Sequence, residues 1–171
     1  MTNNYSIRFF DRDDIRAVVD INRSCLPENY PDQFFLGLFH HAPKSFLVAE
    51  CEEAICGYIM CRIERGISSF GRAPVKKGHI VSVAVRNEYR HLGIGSELVE
   101  AAIKGMEEYG ATEFFLEVRK TNEAAIAVYE KLQFEIKRVL KGYYRDGEDA
   151  YLMVRQIVAT ETSEEEIAAD K

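Results

Sequence analysis

A glycine-rich loop carries the clearest chemical signal in the sequence. It reads Arg90-x-x-Gly93-x-Gly95, follows a β-branched run at 78–85, and precedes apolar residues at helical spacing that end at Gly110. The glycines let backbone N–H groups approach a phosphate, and a helix start adds unpaired N–H donors and the positive end of the helix dipole. With the Arg90 cation, the loop suits a pyrophosphate group. Glycines that only turn the chain into a helix would give the same pattern.

Two better-known phosphate-binding loops do not fit this stretch. A dinucleotide-binding fingerprint needs a third glycine where the sequence has Leu98, and no Gly-Lys-Ser/Thr follows for a nucleotide P-loop.

Three other side chains could take part in proton chemistry. Glu117 is a charged residue inside the apolar strand pattern 113–119, where a lone carboxylate is costly unless it is paired, hydrated or functional. His79 begins the strand before it and could be a structural histidine. Because strand residues alternate between faces, both side chains could point into the same gap. Tyr129 lies on the apolar side of a helix pattern, where a tyrosine is more often a core residue than a catalytic one.

Two loops could line a substrate groove. In the first, at 26–31, two prolines bracket Glu28 and Tyr30 in a stiff turn that could also be an ordinary helix–helix connection. The second contains the adjacent phenols Tyr143 and Tyr144. These could be strand-end aromatics, or they could hydrogen-bond a peptide backbone.

The elements that must position these residues alternate between strand and helix patterns. We predict helices after Asp11, before Pro43, over 94–109 and after Asn122, and a charged surface loop at 64–77. The sequence therefore predicts an α/β fold, with a mixed, mostly antiparallel central sheet flanked by helices, in a single domain at 1–155, followed by an acidic C-terminal tail at 156–171. The predicted strands are 7–10, 45–50, 55–63, 78–85, 113–119, 134–140 and 150–154.

Composition narrows the class of partner. The chain has 171 residues, is 47% apolar and carries a formal charge of −6 without a basic run. The negative charge argues against nucleic acid or an anionic membrane as the main partner. It favours a ligand whose bound end is basic. No apolar stretch approaches the length of a membrane span and the N-terminus has no signal-peptide pattern, so we expect a cytoplasmic protein.

The cysteines give no pattern for a metal site. The chain has four, at 25, 51, 56 and 61, without the paired spacing of a zinc site. We expect buried free thiols and no metal. Strand alternation predicts that Cys56 and Cys61 point to opposite faces.

The loop at 90–95 resembles the coenzyme A loop of GCN5-related N-acetyltransferases (GNAT), in which Arg/Gln-x-x-Gly-x-Gly/Ala follows a strand. The stretches 26–30, 116–119, 122–134 and 141–151 are similar to the archaeal N-terminal acetyltransferases related to the catalytic subunit of the eukaryotic NatA complex. The resemblance covers 7–155 and implies a GNAT fold. It also implies an enzyme that uses acetyl-CoA to acetylate the N-termini of proteins or peptides, with an auxiliary subunit possible but not required.

The same resemblance implies roles for individual residues. The pyrophosphate would lie on the backbone at 91–96, the pantetheine alongside 83–85, and the thioester sulfur near Tyr129. The resemblance makes Tyr129 a catalytic residue, to which the strand positions of His79 and Glu117 add those two as the predicted catalytic bases. Cofactor binding would involve Val83, Ala84, Val85, Arg90, His91, Leu92, Gly93, Ile94, Gly95, Ser96, Asn122 and Tyr129. The peptide groove would be lined by Glu28, Tyr30, His79, Tyr143 and Tyr144.

Direct transfer is preferred to acyl-cysteine chemistry because no motif places a cysteine beside an activating base. We expect His79 and Glu117 to remove the amine proton together, through water. Each single replacement should then lower kcat moderately, and the double replacement should lower it far more. Two alternatives stay open: a lysine or small-molecule amine acetyltransferase on the same fold, and a non-catalytic acyl-CoA-binding module.

Overall fold

The computed structural model describes residues 4–157, which contain seven strands in one sheet and four α-helices. The strands are β1 (Tyr5–Phe9), β2 (Leu47–Cys51), β3 (Ala54–Ile67), β4 (Pro74–Val85), β5 (Glu113–Arg119), β6 (Glu135–Leu140) and β7 (Ala150–Gln156). The α-helices are α1 (Ile15–Cys25), α2 (Asp32–His41), α3 (Ile94–Glu108) and α4 (Glu123–Lys131). The predicted division into a domain at 1–155 and an acidic tail at 156–171 stays a prediction. Gln156 ends β7, and the tail from residue 158 lies outside the described residues.

The sheet has the order β1-β2-β3-β4-β5-β7-β6. Every neighbouring pair is antiparallel except β4 and β5, which are parallel. The predicted α/β fold with a mostly antiparallel sheet is therefore confirmed. β4 and β5 pair only where Lys77, Gly78 and His79 face Glu113, Phe114 and Phe115, and beyond these residues the two strands separate.

Apolar side chains on both faces of the sheet hold the helices against it. On one face, Leu98, Ala102 and Met106 of α3 are fully buried. Their spacing of four residues places them on one side of a helix, as the sequence pattern predicts. On the other face, α1 and α2 pack through residues such as Val18 and Phe35. The sheet is thus covered on both sides, and the gap between β4 and β5 opens at one edge of the covered region.

The predicted surface loop at 64–77 is largely wrong. β3 continues to Ile67 and β4 begins at Pro74, so only 68–73 form the turn of a long hairpin. Charged residues face each other across this hairpin, as Glu64 faces Lys77 and Arg65 faces Lys76, so the sequence shows no apolar alternation there. Buried Glu113 holds the turn, because its carboxylate accepts hydrogen bonds from the Ser68 hydroxyl and the Ser69 N–H.

The prediction of four free thiols is also wrong. Cys51 and Cys56 form a disulfide across the β2–β3 turn, while Cys25 and Cys61 are free. The β2–β3 register skips Cys56, which makes it the extra residue of a β-bulge. The bulge breaks the alternation of faces, so Cys56 and Cys61 lie in the same core cluster rather than on opposite sides of the sheet.

Candidate active site

The separation of β4 from β5 creates a cleft of about 890 Å³. Its walls come from the two diverging strands, the loop before α3, one side of α4, the β6–β7 loop and the loop after α1. Parallel strands that stop pairing leave backbone N–H and C=O groups facing the gap without strand partners. An extended ligand can therefore hydrogen-bond along β4 as a neighbouring strand would.

The glycine loop forms one end of the cleft at the start of α3. Gly93 has a positive φ of 86°, and a Cβ added there would meet no protein atom within 4 Å, so the space before the helix is open. Arg90 does not extend freely, because its Nε donates to the Val85 carbonyl at 3.1 Å. Of the twelve residues predicted to bind the cofactor, the structure brings all but Leu92 to the cleft wall. The geometry fits a pyrophosphate bound by backbone amides.

Asn122 and Tyr129 face the cleft from α4. The Asn122 side chain caps the helix by accepting from the Ala125 N–H at 3.2 Å. Tyr129 is half-buried, with its ring against Phe134, and burial raises the pKa of Tyr129 to about 12. Its hydroxyl has no hydrogen-bond partner among residues 4–157, so it is a protonated donor available to a ligand.

His79 and Glu117, which were predicted to share one gap, are in direct contact. The His79 Nε2 lies 2.7 Å from the Glu117 Oε2, and the two side chains are only 12% and 16% exposed. The His79 ring is stacked on Phe115 at 4.4 Å between ring centres, which fixes its plane. Glu117 lines the cleft, and His79 is not among the residues of its wall. The role of His79 in lining the peptide groove stays a prediction, and its ring contacts Glu117, which does line the cleft.

Aromatic side chains surround the other end of the cleft. Tyr30 is stacked on Phe34 at 4.6 Å, and Tyr143 and Tyr144 meet edge to face at 5.0 Å. Burial raises the pKa of Tyr30, and the Glu28 and Glu117 charges raise it further. Burial, and then the Glu117 charge, likewise raise the pKa of Tyr143. These phenols stay protonated and can donate to a bound peptide.

Arg119 links the two substrate loops, a role that the sequence reasoning missed. Its guanidinium binds Glu28 at 2.6 Å and Glu148 at 2.6 Å and lies 4.1 Å from the centre of the Tyr144 ring. The Arg119 Nε is buried without a hydrogen-bond partner within residues 4–157. The signal available in the sequence was a basic residue two positions after Glu117, on the same face of the strand. Arg119 therefore joins the two loops at the wall of the cleft.

Asn22, on α1, holds the first substrate loop from inside and was also missed. It is fully buried, its Nδ2 donates to the Glu28 carbonyl at 3.0 Å, and its Oδ1 accepts from the Tyr30 N–H at 3.3 Å. The same Nδ2 donates to the Tyr58 hydroxyl at 3.1 Å, which is paired with Ser82 of β4 at 2.7 Å. A polar network thus connects the substrate loop to the strand that borders the cleft.

Residues 4–157 contain neither a membrane-spanning helix nor a metal-binding cluster. No helix of this part of the chain is long and apolar enough to span a membrane. No three of its histidine, cysteine or acidic side chains are grouped so as to hold a metal ion.

Comparison with known proteins agrees with this geometry. The model of the acetyltransferase (GNAT) family matches residues 15–134. The N-alpha-acetyltransferase of Saccharolobus solfataricus is 49% identical over 156 residues, which cover 90% of this chain and 93% of the relative. The crystal structure of Ard1 from Thermoplasma volcanium superposes with a TM-score of 0.79 at 31% identity, covering 91% of this chain and 99% of that one.

A further solved structure shares the fold: that of Chaetomium thermophilum Naa20 in complex with a bisubstrate analogue. It has a TM-score of 0.77 at 31% identity and covers 89% of this chain and 86% of its own. The matched family model spans the strands and the loop that build the cleft, so this chain belongs to the acetyltransferase (GNAT) family.

Proposed function

We propose that this protein transfers the acetyl group of acetyl-CoA to the α-amino group of protein N-termini by direct attack of the amine. The observation that carries the proposal is the shape of the cleft. A phosphate-binding loop forms one end, and loops joined through Arg119 and Glu28 cover the other. A relative that is 49% identical is named for this activity.

The residues at the first end fit acetyl-CoA, which supplies a thioester-activated acetyl group. The backbone amides at 91–96 would hold its pyrophosphate, and the open edge of β4 at Val83, Ala84 and Val85 would hold the pantetheine. The unpartnered Tyr129 hydroxyl would donate a hydrogen bond toward the sulfur.

Glu117 and the phenols at the second end fit an amine. A free α-amine has a pKa of about 8, so roughly a tenth is neutral at pH 7, whereas a lysine side chain near 10.4 offers well under a thousandth. Glu117 lines the cleft as a carboxylate that can take the excess proton. The α-amine is thus the easier substrate for a site with only a weak base.

The ion-paired loops at the second end of the groove favour a chain start over an internal lysine. The ion pair between Arg119 and Glu28 joins the loop after α1 to the β6–β7 loop, which carries Tyr144. A lysine within a polypeptide needs room for the chain on both sides of the modified residue. An N-terminus needs room on one side only.

The test is acetylation of a peptide library by the isolated chain. Peptides with varied N-terminal residues and internal lysines are incubated with acetyl-CoA, and mass spectrometry locates the acetyl group. We expect modification of the α-amine only, and lower kcat for Tyr129→Phe. Acetylation confined to lysine side chains would support the lysine alternative, and no transfer to any amine would support the binding module.

Glu28 should influence which N-termini are preferred. Its carboxylate lines the cleft beside the first residues of the proposed peptide. Glu28→Ala should therefore change the ranking of peptides that begin with Ser, Ala, Met-Leu and Glu. A fall in all four rates by one common factor would show that Glu28 does not set specificity.

A further inference from the structure

We infer that Arg62 is a positioning residue that fixes the tautomer of His79, so that Glu117 alone takes the proton of the substrate amine. The inference rests on the proposed function for its kinetic consequence, although the tautomer itself can be observed without any substrate.

The first observation is the hydrogen bond on the far side of the His79 ring. The Arg62 Nη2 lies 3.4 Å from the His79 Nδ1. An arginine guanidinium has N–H donors and no acceptor, so this contact is a hydrogen bond only when Nδ1 is the unprotonated, accepting nitrogen. In a neutral imidazole the proton is then on Nε2, and which nitrogen carries it is set by the bond that the other one makes.

The second observation is the contact of Nε2 itself. It lies 2.7 Å from the Glu117 Oε2, so the Nε2–H donates to the carboxylate. In this arrangement His79 has no lone pair directed at Glu117 or at the cleft. It stabilises the Glu117 carboxylate and holds its orientation.

The third observation explains why Arg62 stays in place. Glu64, two residues further along β3, accepts from the Arg62 Nε at 2.8 Å and lies 2.7 Å from its Nη2. The Glu64 carboxylate is 3.6 Å from the His79 Nδ1, which is beyond a normal hydrogen bond. Glu64 therefore engages Arg62, and Arg62 engages His79.

The fourth observation separates the two candidate bases. Glu117 lines the cleft and His79 does not. The Glu117 Oε1 has no hydrogen-bond partner within the described part of the chain, 4–157, so it is the oxygen available to the amine. One N–H bond of the substrate ammonium breaks, its electron pair stays on nitrogen, and the proton forms an O–H bond on Glu117, which becomes neutral.

Histidine nitrogen NMR tests the tautomer directly. The chain has four histidines, and His79→Phe assigns the His79 signals in a long-range ¹H–¹⁵N spectrum. We expect an unprotonated Nδ1 and a protonated Nε2 in the unmodified protein, and a mixture of tautomers in Arg62→Met. Arg65→Met is the matched control, since Arg65 is an exposed arginine on the opposite face of β3.

Two spectroscopic results would overturn the inference. One is a His79 that carries its proton on Nδ1 in the unmodified protein. The other is an Arg62→Met spectrum that matches that of the Arg65→Met control.

Kinetics on the peptide found by the library test examine the consequence. Glu117→Gln should lower kcat on the order of 10²-fold, the usual contribution of a general base. Arg62→Met should lower it by up to about tenfold, because one net hydrogen bond shifts a population by about that factor. The KM for acetyl-CoA should not change, and Arg62→Lys should recover part of the loss, since an ammonium can also donate to Nδ1.

The double variant distinguishes residues acting in series from residues acting in parallel. If His79 acts only through Glu117, then His79→Phe combined with Glu117→Gln loses no more kcat than Glu117→Gln alone. A double variant that loses the product of the two single effects would refute the series arrangement. If the unmodified protein acetylates no α-amine, the proposed function fails while the NMR result still decides the tautomer.

Discussion

Replacing Asn22 with alanine should destabilise the protein and weaken peptide binding together. The Asn22 side chain is fully buried and makes three hydrogen bonds, to the Glu28 carbonyl, the Tyr30 N–H and the Tyr58 hydroxyl. A buried hydrogen bond contributes about 1 kcal/mol net, so their loss should lower the free energy of unfolding by about 3 kcal/mol. For a chain of this size that corresponds to a fall in Tm of roughly 6–12 °C.

The functional consequence follows from where those bonds go. Two of the three hold the backbone of the loop that carries Glu28 and Tyr30, so Asn22→Ala frees the loop to move. The KM for the peptide should rise several-fold. Tyr58→Phe is the control, since it removes a hydroxyl of the same network that contacts Asn22 and Ser82 but not the loop.

Urea denaturation and steady-state kinetics on both variants provide the measurement. Tyr58→Phe should lose about 1–2 kcal/mol and keep its peptide KM. If Asn22→Ala is destabilised by the expected amount and its peptide KM equals that of Tyr58→Phe, Asn22 does not position the loop. The reasoning would then be refuted, and the loop would be held from the Arg119 side alone.

Three further predictions test other parts of the site. Arg119→Met should raise the peptide KM more than the acetyl-CoA KM, because it separates the two substrate loops; equal changes would contradict this role. Gly93→Val should weaken the binding of coenzyme A, measured by calorimetry, more than the binding of the peptide, because valine obstructs the phosphate loop and disfavours the positive φ of this residue. An unchanged affinity for coenzyme A would contradict the phosphate assignment. Thiol titration of the unfolded, unreduced protein should find two thiols, and four thiols before reduction would exclude the disulfide. Reduction of the Cys51–Cys56 bond, which joins residues five positions apart, should lower the free energy of unfolding by about 2 kcal/mol.

Local patterns in the sequence predicted the elements that build the cleft. The predicted strand 113–119 has the same bounds as β5 in the structure. Asn122, the predicted N-cap, is the N-cap of α4. Both depend on residues close together in the chain, through side-chain alternation and capping. The glycine loop was found for the same reason, since its chemistry is contained in a few consecutive residues.

What the sequence did not predict depends on residues far apart. Arg119 and Glu28 are 91 positions apart, and Asn22 and Tyr58 are 36 apart, so no local pattern pairs them. The bulge at Cys56 is a property of how β2 and β3 align, which composition does not reveal. Alternation predicted that His79 and Glu117 share a gap, but it did not predict the stacking of the His79 ring on Phe115.

Because β4 and β5 pair over only three residues, the sheet consists of two halves that are weakly connected to each other. One half-sheet contains β1 to β4 and the other contains β5, β7 and β6. Within the described residues, β4 and β5 pair only at Lys77, Gly78 and His79, next to one backbone bond from the Thr112 N–H to the Lys76 carbonyl. A ligand in the gap that contacts both halves links them by contacts that the strand pairing does not supply. At a hundred times its Kd, it would add about 2.7 kcal/mol to the free energy of unfolding. Amide hydrogen exchange along the open edge of β4 should slow at the same time, so that, under the proposed function, binding of acetyl-CoA would stiffen the site proposed to receive the peptide.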